Sequence, residues 1–115
     1  SVASVLQKLG LSGVDENCGS PLLSKADGSL TSGHAALTNV SRVYADRSPR
    51  FITTGLGPTV QVIGQRGANV YIAAGSLGTG RFLAVSDVDF LLGSLGYDNA
   101  QFLQSALWWL CGGTD

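Results

Sequence analysis

The sequence predicts an α/β domain: a mixed, largely antiparallel sheet with a C-terminal helix and a short N-terminal helix packed on it. Three observations predict this. Val70–Ala74 and Phe82–Val85 are continuous apolar runs separated only by Gly75–Gly80, as expected of two antiparallel strands covered on both faces. Val60 and Val62 alternate with Gln61, which fits a strand with one wet face. The segment after Asp98 places Phe102, Leu103, Ala106, Trp109 and Leu110 on one wide helical face, and such a face has to be buried against something.

Taken in order, Val2, Val5, Leu6 and Leu9 recur at helical spacing and predict a short amphipathic helix that Gly10 or Gly13 ends. From Asp15 to Ser41 the chain is rich in Asn, Gly, Ser, Asp and Pro, so mostly loop is expected, with a turn at Ala26–Ser29 and short extended pieces at Leu22–Leu23 and around Leu30. Arg42–Ala45 and Phe51–Thr53 read as short strands about the turn Asp46–Arg50, whose Pro49 cannot donate to a ladder. Asp98 is expected to cap the last helix with Gln101 in the capping-box position. Gly112 and Gly113 end that helix, and Trp108 and Trp109 are read as packing residues.

A chain of 115 residues has room for one domain over 1–115. It starts at Ser and contains no Met, which leads us to expect a processed protein or, in preference, a fragment of a longer one. Apolar residues make up 44% and charged ones 13%, a composition for a surface with little charge or one that another molecule covers. A net charge of -1 gives no field to attract nucleic acid or an anionic membrane. No apolar run reaches the roughly 20 residues of a membrane span, and the start lacks the charged region and apolar core of a secretory signal. Cys18 and Cys111 either close a long disulfide loop or are two unrelated thiols. Asn39-Val40-Ser41 is a formal N-glycosylation acceptor.

Several patterns invite a chemical reading. The glycines of Gly75–Gly80 have P-loop spacing, but Arg81 and Phe82 follow where Lys and Ser or Thr are needed, and a strand follows where the phosphate-binding helix should start. A hairpin turn explains Gly78 and Gly80 better. Asp87-Val88-Asp89 has the D-x-D spacing of haloacid-dehalogenase-like phosphatases, yet no lysine or acid lies in the helix beyond it. The plainer expectation is that Asp87 binds backbone amides in the turn after the strand while Asp89 caps or faces solvent. Asp87, Asp89, Asp98 and Asn99 together offer oxygen ligands for a hard cation, though without calcium-loop spacing, and neither a metal nor a cofactor is expected. His34, the one histidine, would have to serve as base for any nucleophile, and no G-x-S-x-G elbow accompanies it.

The run Ala73–Arg81, the following FLAVSDVDFL, Asn99 and the helix ending ALWWL resemble the C-terminal part of class I glutamine amidotransferase-like domains. The likeness is to the non-catalytic branch found in gliding and intraflagellar-transport proteins and in channel-associated factors. Gly78, Gly80, Arg81, Asp87, Phe90 and Asn99 carry the match. Ser32–Ala45 resembles the loop before the middle strands of those domains, with Ala35 in place of the usual Pro and Asn39 where Gly is common. The catalytic Cys, His and Glu of the active amidotransferases are not matched by Cys18, Cys111 or His34. The resemblance therefore implies a non-catalytic scaffold, part of a larger Rossmann-like domain.

The functional expectation is a non-enzymatic binding or assembly module whose partner is another protein or a second copy of itself. Nucleic acid and membrane insertion are not expected. His34, Asp87, Asp89 and Asn99 are the candidate ligand-binding residues, and Gly78, Gly80, Arg81 and Asp98 the structural motif. The alternatives are a hydrolase with an acidic site at the sheet edge (Asp87, Asp89, His34) and a small-ligand or glycan-binding domain.

Overall fold

The computed structural model describes residues 2–14 and 16–114. Asp15, where the long loop was expected to start, and the side chain of Val2, first of the helical stripe, lie outside what is described. The elements are α1 (Val2–Lys8), β1 (Leu11–Val14), β2 (Leu22–Ser24), β3 (Arg42–Tyr44), β4 (Arg50–Thr53), β5 (Val60–Arg66), β6 (Asn69–Leu77), β7 (Gly80–Val85) and α2 (Asn99–Leu110). Single 3-10 turns occupy Ala35–Leu37, Val88–Leu91 and Gly93–Leu95.

β1, β4, β6 and β5 pair in that order and β7 joins β6, making a five-stranded sheet that curls into a half-barrel. β2 and β3 form a separate ribbon. Every described strand pair is antiparallel, so the parallel component of the expected mixed sheet is absent among the described residues. The reason is local. β5, β6 and β7 are joined by turns too short for the crossover that a parallel pair requires.

β6 organises the molecule because Val70, Tyr71, Ile72, Ala73 and Ala74 are all buried. On one face, Ile72 and Ala74 join Leu23, Leu37, Val43, Ile63, Phe90, Phe102 and Trp109 in the larger core, which α2 and the β2–β3 ribbon cover. On the other, Val70 and Ala73 join Leu9, Leu11, Phe51 and Ala84, beneath the short α1. The two-residue turn Gly78-Thr79 closes the β6–β7 hairpin. Gly78 alone of the pair has positive φ, the pattern of a tight turn whose first central residue must be glycine.

Two elements depart from expectation. β1 occupies Leu11–Val14, where a helix end was expected. It forms because its backbone pairs with β4 from Leu11↔Thr53 to Val14↔Arg50, a tertiary contact that Ser12 and Gly13 do not advertise. Gly10 makes the link: its φ is +81°, and a Cβ there would collide with the Gly55 carbonyl. Asp98 precedes α2 as expected but makes no side-chain bond to the helix amides, so the capping box with Gln101 does not form. The Asp98 carboxylate accepts instead from Ser41 N and Arg42 N, at 2.8 and 2.9 Å. Gln101 turns to the Ser105 hydroxyl and the Thr38 carbonyl.

Candidate functional site

The acidic turn after β7 is a fastening. Asp87 Oδ1 accepts from Asp89 N at 2.9 Å, closing its own turn. Asp89 Oδ2 accepts from Asp46 N at 3.2 Å. Asn99, fully buried, accepts from Tyr44 N at 3.0 Å and donates to Tyr44 O and Asp89 O at 2.8 and 2.9 Å. Its amide thus stands in for a neighbouring strand beside β3 while tying the 3-10 turn to α2. Tyr97 adds its ring to the same joint, 5.7 Å from that of Tyr44 and 5.1 Å from the Arg42 guanidinium. Hydrogen bonds from the amides of Arg42 and Ser41 hold the Asp98 carboxyl below the usual carboxylate range. Among the described residues no three His, Cys, Asp or Glu side chains gather to hold a metal ion.

His34 stands elsewhere. Its Nδ1 accepts from Ala36 N at 3.1 Å and caps the 3-10 turn, and its ring lies edge-on to Trp109, centroids 4.9 Å apart. Trp109 is at the far end of α2 from Asn99, about 15 Å along the axis at 1.5 Å per residue. The structure therefore brings Asp87, Asp89, Asp98 and Asn99 to one joint and leaves His34 at another. Arg81 belongs with the second: its guanidinium donates to Trp109 O and Gly113 O at 2.5 and 2.8 Å and lies 5.0 Å from the Trp109 ring. A cation placed on the last carbonyls of a helix is electrostatically favourable. Both thiols are free, Cys111 exposed and Cys18 half-buried.

The surface with room for another molecule lies along β7. β6 gives one edge to β5 throughout, while its other edge pairs β7 from Ile72 to Leu77 and then β4 at Val70. β7 and β4 thus follow one another along the same side of β6. The Ser86 N–H reaches Tyr71 O at 2.9 Å, which fixes the phase of the ladder. Phe82 and Ala84 bond to β6, and the backbone groups of Arg81, Leu83 and Val85 point outward. β7 pairs with no other strand, and no described backbone group meets the outward N–H of Leu83 or Val85. The outer edge of β5, by contrast, is covered by Ser29–Thr31, which bonds to Ile63 and Gln65.

Both flanks of this edge are apolar. On the α1 side, Val5, Leu6, Leu9, Phe51 and the 82–85 strand line a groove of about 610 Å³, and a smaller hollow continues past Phe51 to Gly13, Val14 and Ser86. On the other side runs α2. Its Gln101 and Ser105 are turned to Thr38, and the 30–31 segment just before that turn lies along β5, so by helical periodicity Leu103, Leu107 and Leu110 form the flank on the side of β7. Leu107 is 53% exposed and Leu103 38%. A separate hollow of about 220 Å³ lies between Thr38, Gln101, Gln104, Ser105 and Trp108.

Sequence reasoning named the strand and the helix but not this edge, because an unpaired strand edge is a fact of topology. No described helix is long and apolar enough to cross a membrane. No family model, no curated protein and no solved structure gives a significant match to the chain.

Proposed function

We propose that this chain is a non-enzymatic binding or assembly module that adds an extended strand of a protein partner to the free edge of β7. The observation that carries this reading is an unpaired strand edge with apolar surface on both flanks. Sheet edges in soluble proteins are blunted by lysine, proline, a bulge or a covering loop. β7 has none of these, since its one charged residue, Arg81, is engaged with the end of α2. The incoming segment is therefore uncharged and apolar on both faces, held by main-chain bonds as in strand addition.

The hydrolase alternative is disfavoured by the distance between His34 and the acidic joint and by the use of Asp87, Asp89 and Asn99 in backbone bonds. The likeness to amidotransferase-like domains enters as part of the same proposal. The residues that carry it, Arg81, Asp87 and Asn99, serve as joints, which suits a scaffold.

Selection from a displayed random-peptide library tests the reading. Enrichment of uncharged, alternating apolar peptides whose binding is lost in a folded Leu83→Pro variant is expected. Proline there removes an outward N–H and no β6 bond. Enriched peptides that bind this variant equally well would overturn the proposal. One observation favours a small-ligand reading as well: Trp108, 45% exposed, stands beside the amides of Gln101 and Gln104, an aromatic and uncharged polar setting suited to a sugar. A monosaccharide that raises the melting temperature of the chain but not of Trp108→Ala would support it; no shift with any monosaccharide in a panel would remove it.

A further inference from the structure

We infer that the strand taken up by β7 is β7 of a second copy, paired antiparallel about a two-fold axis at Leu83; this rests on the strand-addition reading above. The chemistry the edge asks for is the chemistry β7 itself has. Its sequence from Phe82 to Val85 is uncharged, with Phe82 and Ala84 on the α1 face and Leu83 and Val85 on the α2 face.

A two-fold centred on Leu83 sets Leu83 against Leu83 of the second copy and Arg81 against Val85. All of these residues have outward N–H and C=O groups, so each facing pair exchanges two bonds. The same register sets Phe82 of the second copy opposite Ala84, the smallest side chain on the floor of the 610 Å³ groove. Large meets small, and the groove supplies the space. Charge is equally consistent, because Arg81 faces a valine and not its own copy, and its guanidinium is already committed to the carbonyls of Trp109 and Gly113. Over the joined sheet the two α2 helices would bring their exposed Leu103 and Leu107 together, like to like, as isologous interfaces require. A stable interface takes about 20 residues a side. That surface would come from the strand edge, the α2 flank, the 88–92 turn with its exposed Val88 and Leu92, and the exposed Val5 of α1.

Light scattering at about 100 µM, where micromolar self-affinity would leave most of the chain paired, decides the matter. The wild-type chain is expected at twice its monomer mass. Leu83→Pro and Leu107→Glu, each checked for native circular dichroism, are expected at monomer mass. Should Leu83→Pro fail to fold, Leu107→Glu decides alone, since its side chain is solvent-exposed in the single chain. A monomeric wild type overturns the second-copy assignment, as does a dimer that survives in the folded variants. A monomer that still selects strand peptides, with that binding lost in Leu83→Pro, defeats this inference and leaves the proposed function standing.

Discussion

Asn99 ties β3, the 88–91 turn and α2 together through one fully buried side chain. Replacing it by Ala leaves the N–H and C=O of Tyr44 unpaired and takes one of two donors from the C=O of Asp89, which keeps Leu92 N, and should cost about 3 kcal/mol in urea unfolding. Asn99→Asp makes a finer test, because a carboxylate facing two carbonyls has its folded pKa raised. That variant should be least impaired below the ordinary carboxylate pKa of about 4 and lose stability as pH rises through it. The wild type should do the opposite. The hydroxyl of Ser29 and then the guanidinium of Arg66 hold Asp27 well below the usual carboxylate range, and backbone amides hold Asp98 below it. Groups so depressed contribute stability that is complete above about pH 4 and is lost as pH falls through their folded pKa values. Asp98→Asn should flatten that acid limb, which a pH series of melting temperatures would show. Asn99 and Asp98 were legible in the sequence as significant positions. Their partners were not, since Tyr44 and Ser41 lie 55 and 57 residues away and no local pattern encodes such a pairing.

Among the elements, α2 and the β6–β7 hairpin were readable because each carries its own signal: a wide apolar face in one, two apolar runs around glycines in the other. β1 was not, because Leu-Ser-Gly-Val has no alternation strong enough to set against the glycine of a helix end. The 3-10 turn at Ala35–Leu37 escaped for a similar reason, its cap being the side chain of His34. Arg81 joins the two legible elements, β7 below and the end of α2 above. Arg81→Ala should destabilise by about 1–2 kcal/mol through loss of the charge-assisted bonds to Trp109 and Gly113, with helix amides near Trp109 exchanging faster. Arg81→Lys should recover part of this and lack the planar contact with the Trp109 ring. An unchanged unfolding midpoint in Arg81→Ala would remove the guanidinium from the account of how α2 is anchored.

At the scale of the whole molecule, two apolar clusters lie on opposite faces of one strand, so β6 couples them. Ile72 serves the larger and Ala73 the smaller, and neither cluster persists if that strand leaves. Unfolding should accordingly be a single transition by both aromatic absorbance and far-ultraviolet circular dichroism. Phe102→Ala, in the larger cluster, should cost about 3–5 kcal/mol, a large share of the roughly 5–15 kcal/mol typical of a domain. Gly75→Val probes the coupling from the other side, because a Cβ there would run into the Thr59 carbonyl and the Phe82 ring, displacing β5 or β7 from β6.

The joint at Asn99 also fixes an order of events. The ribbon β2–β3 is made before α2, but the side chain that completes its hydrogen bonding belongs to that later helix. So do Phe102, Ala106 and Trp109, which roof its core. While α2 is still within the ribosome, the emerged chain presents an unroofed apolar surface together with the bare edge of β7. For this protein the interval between translating β7 and releasing α2 is when a chaperone would be needed most.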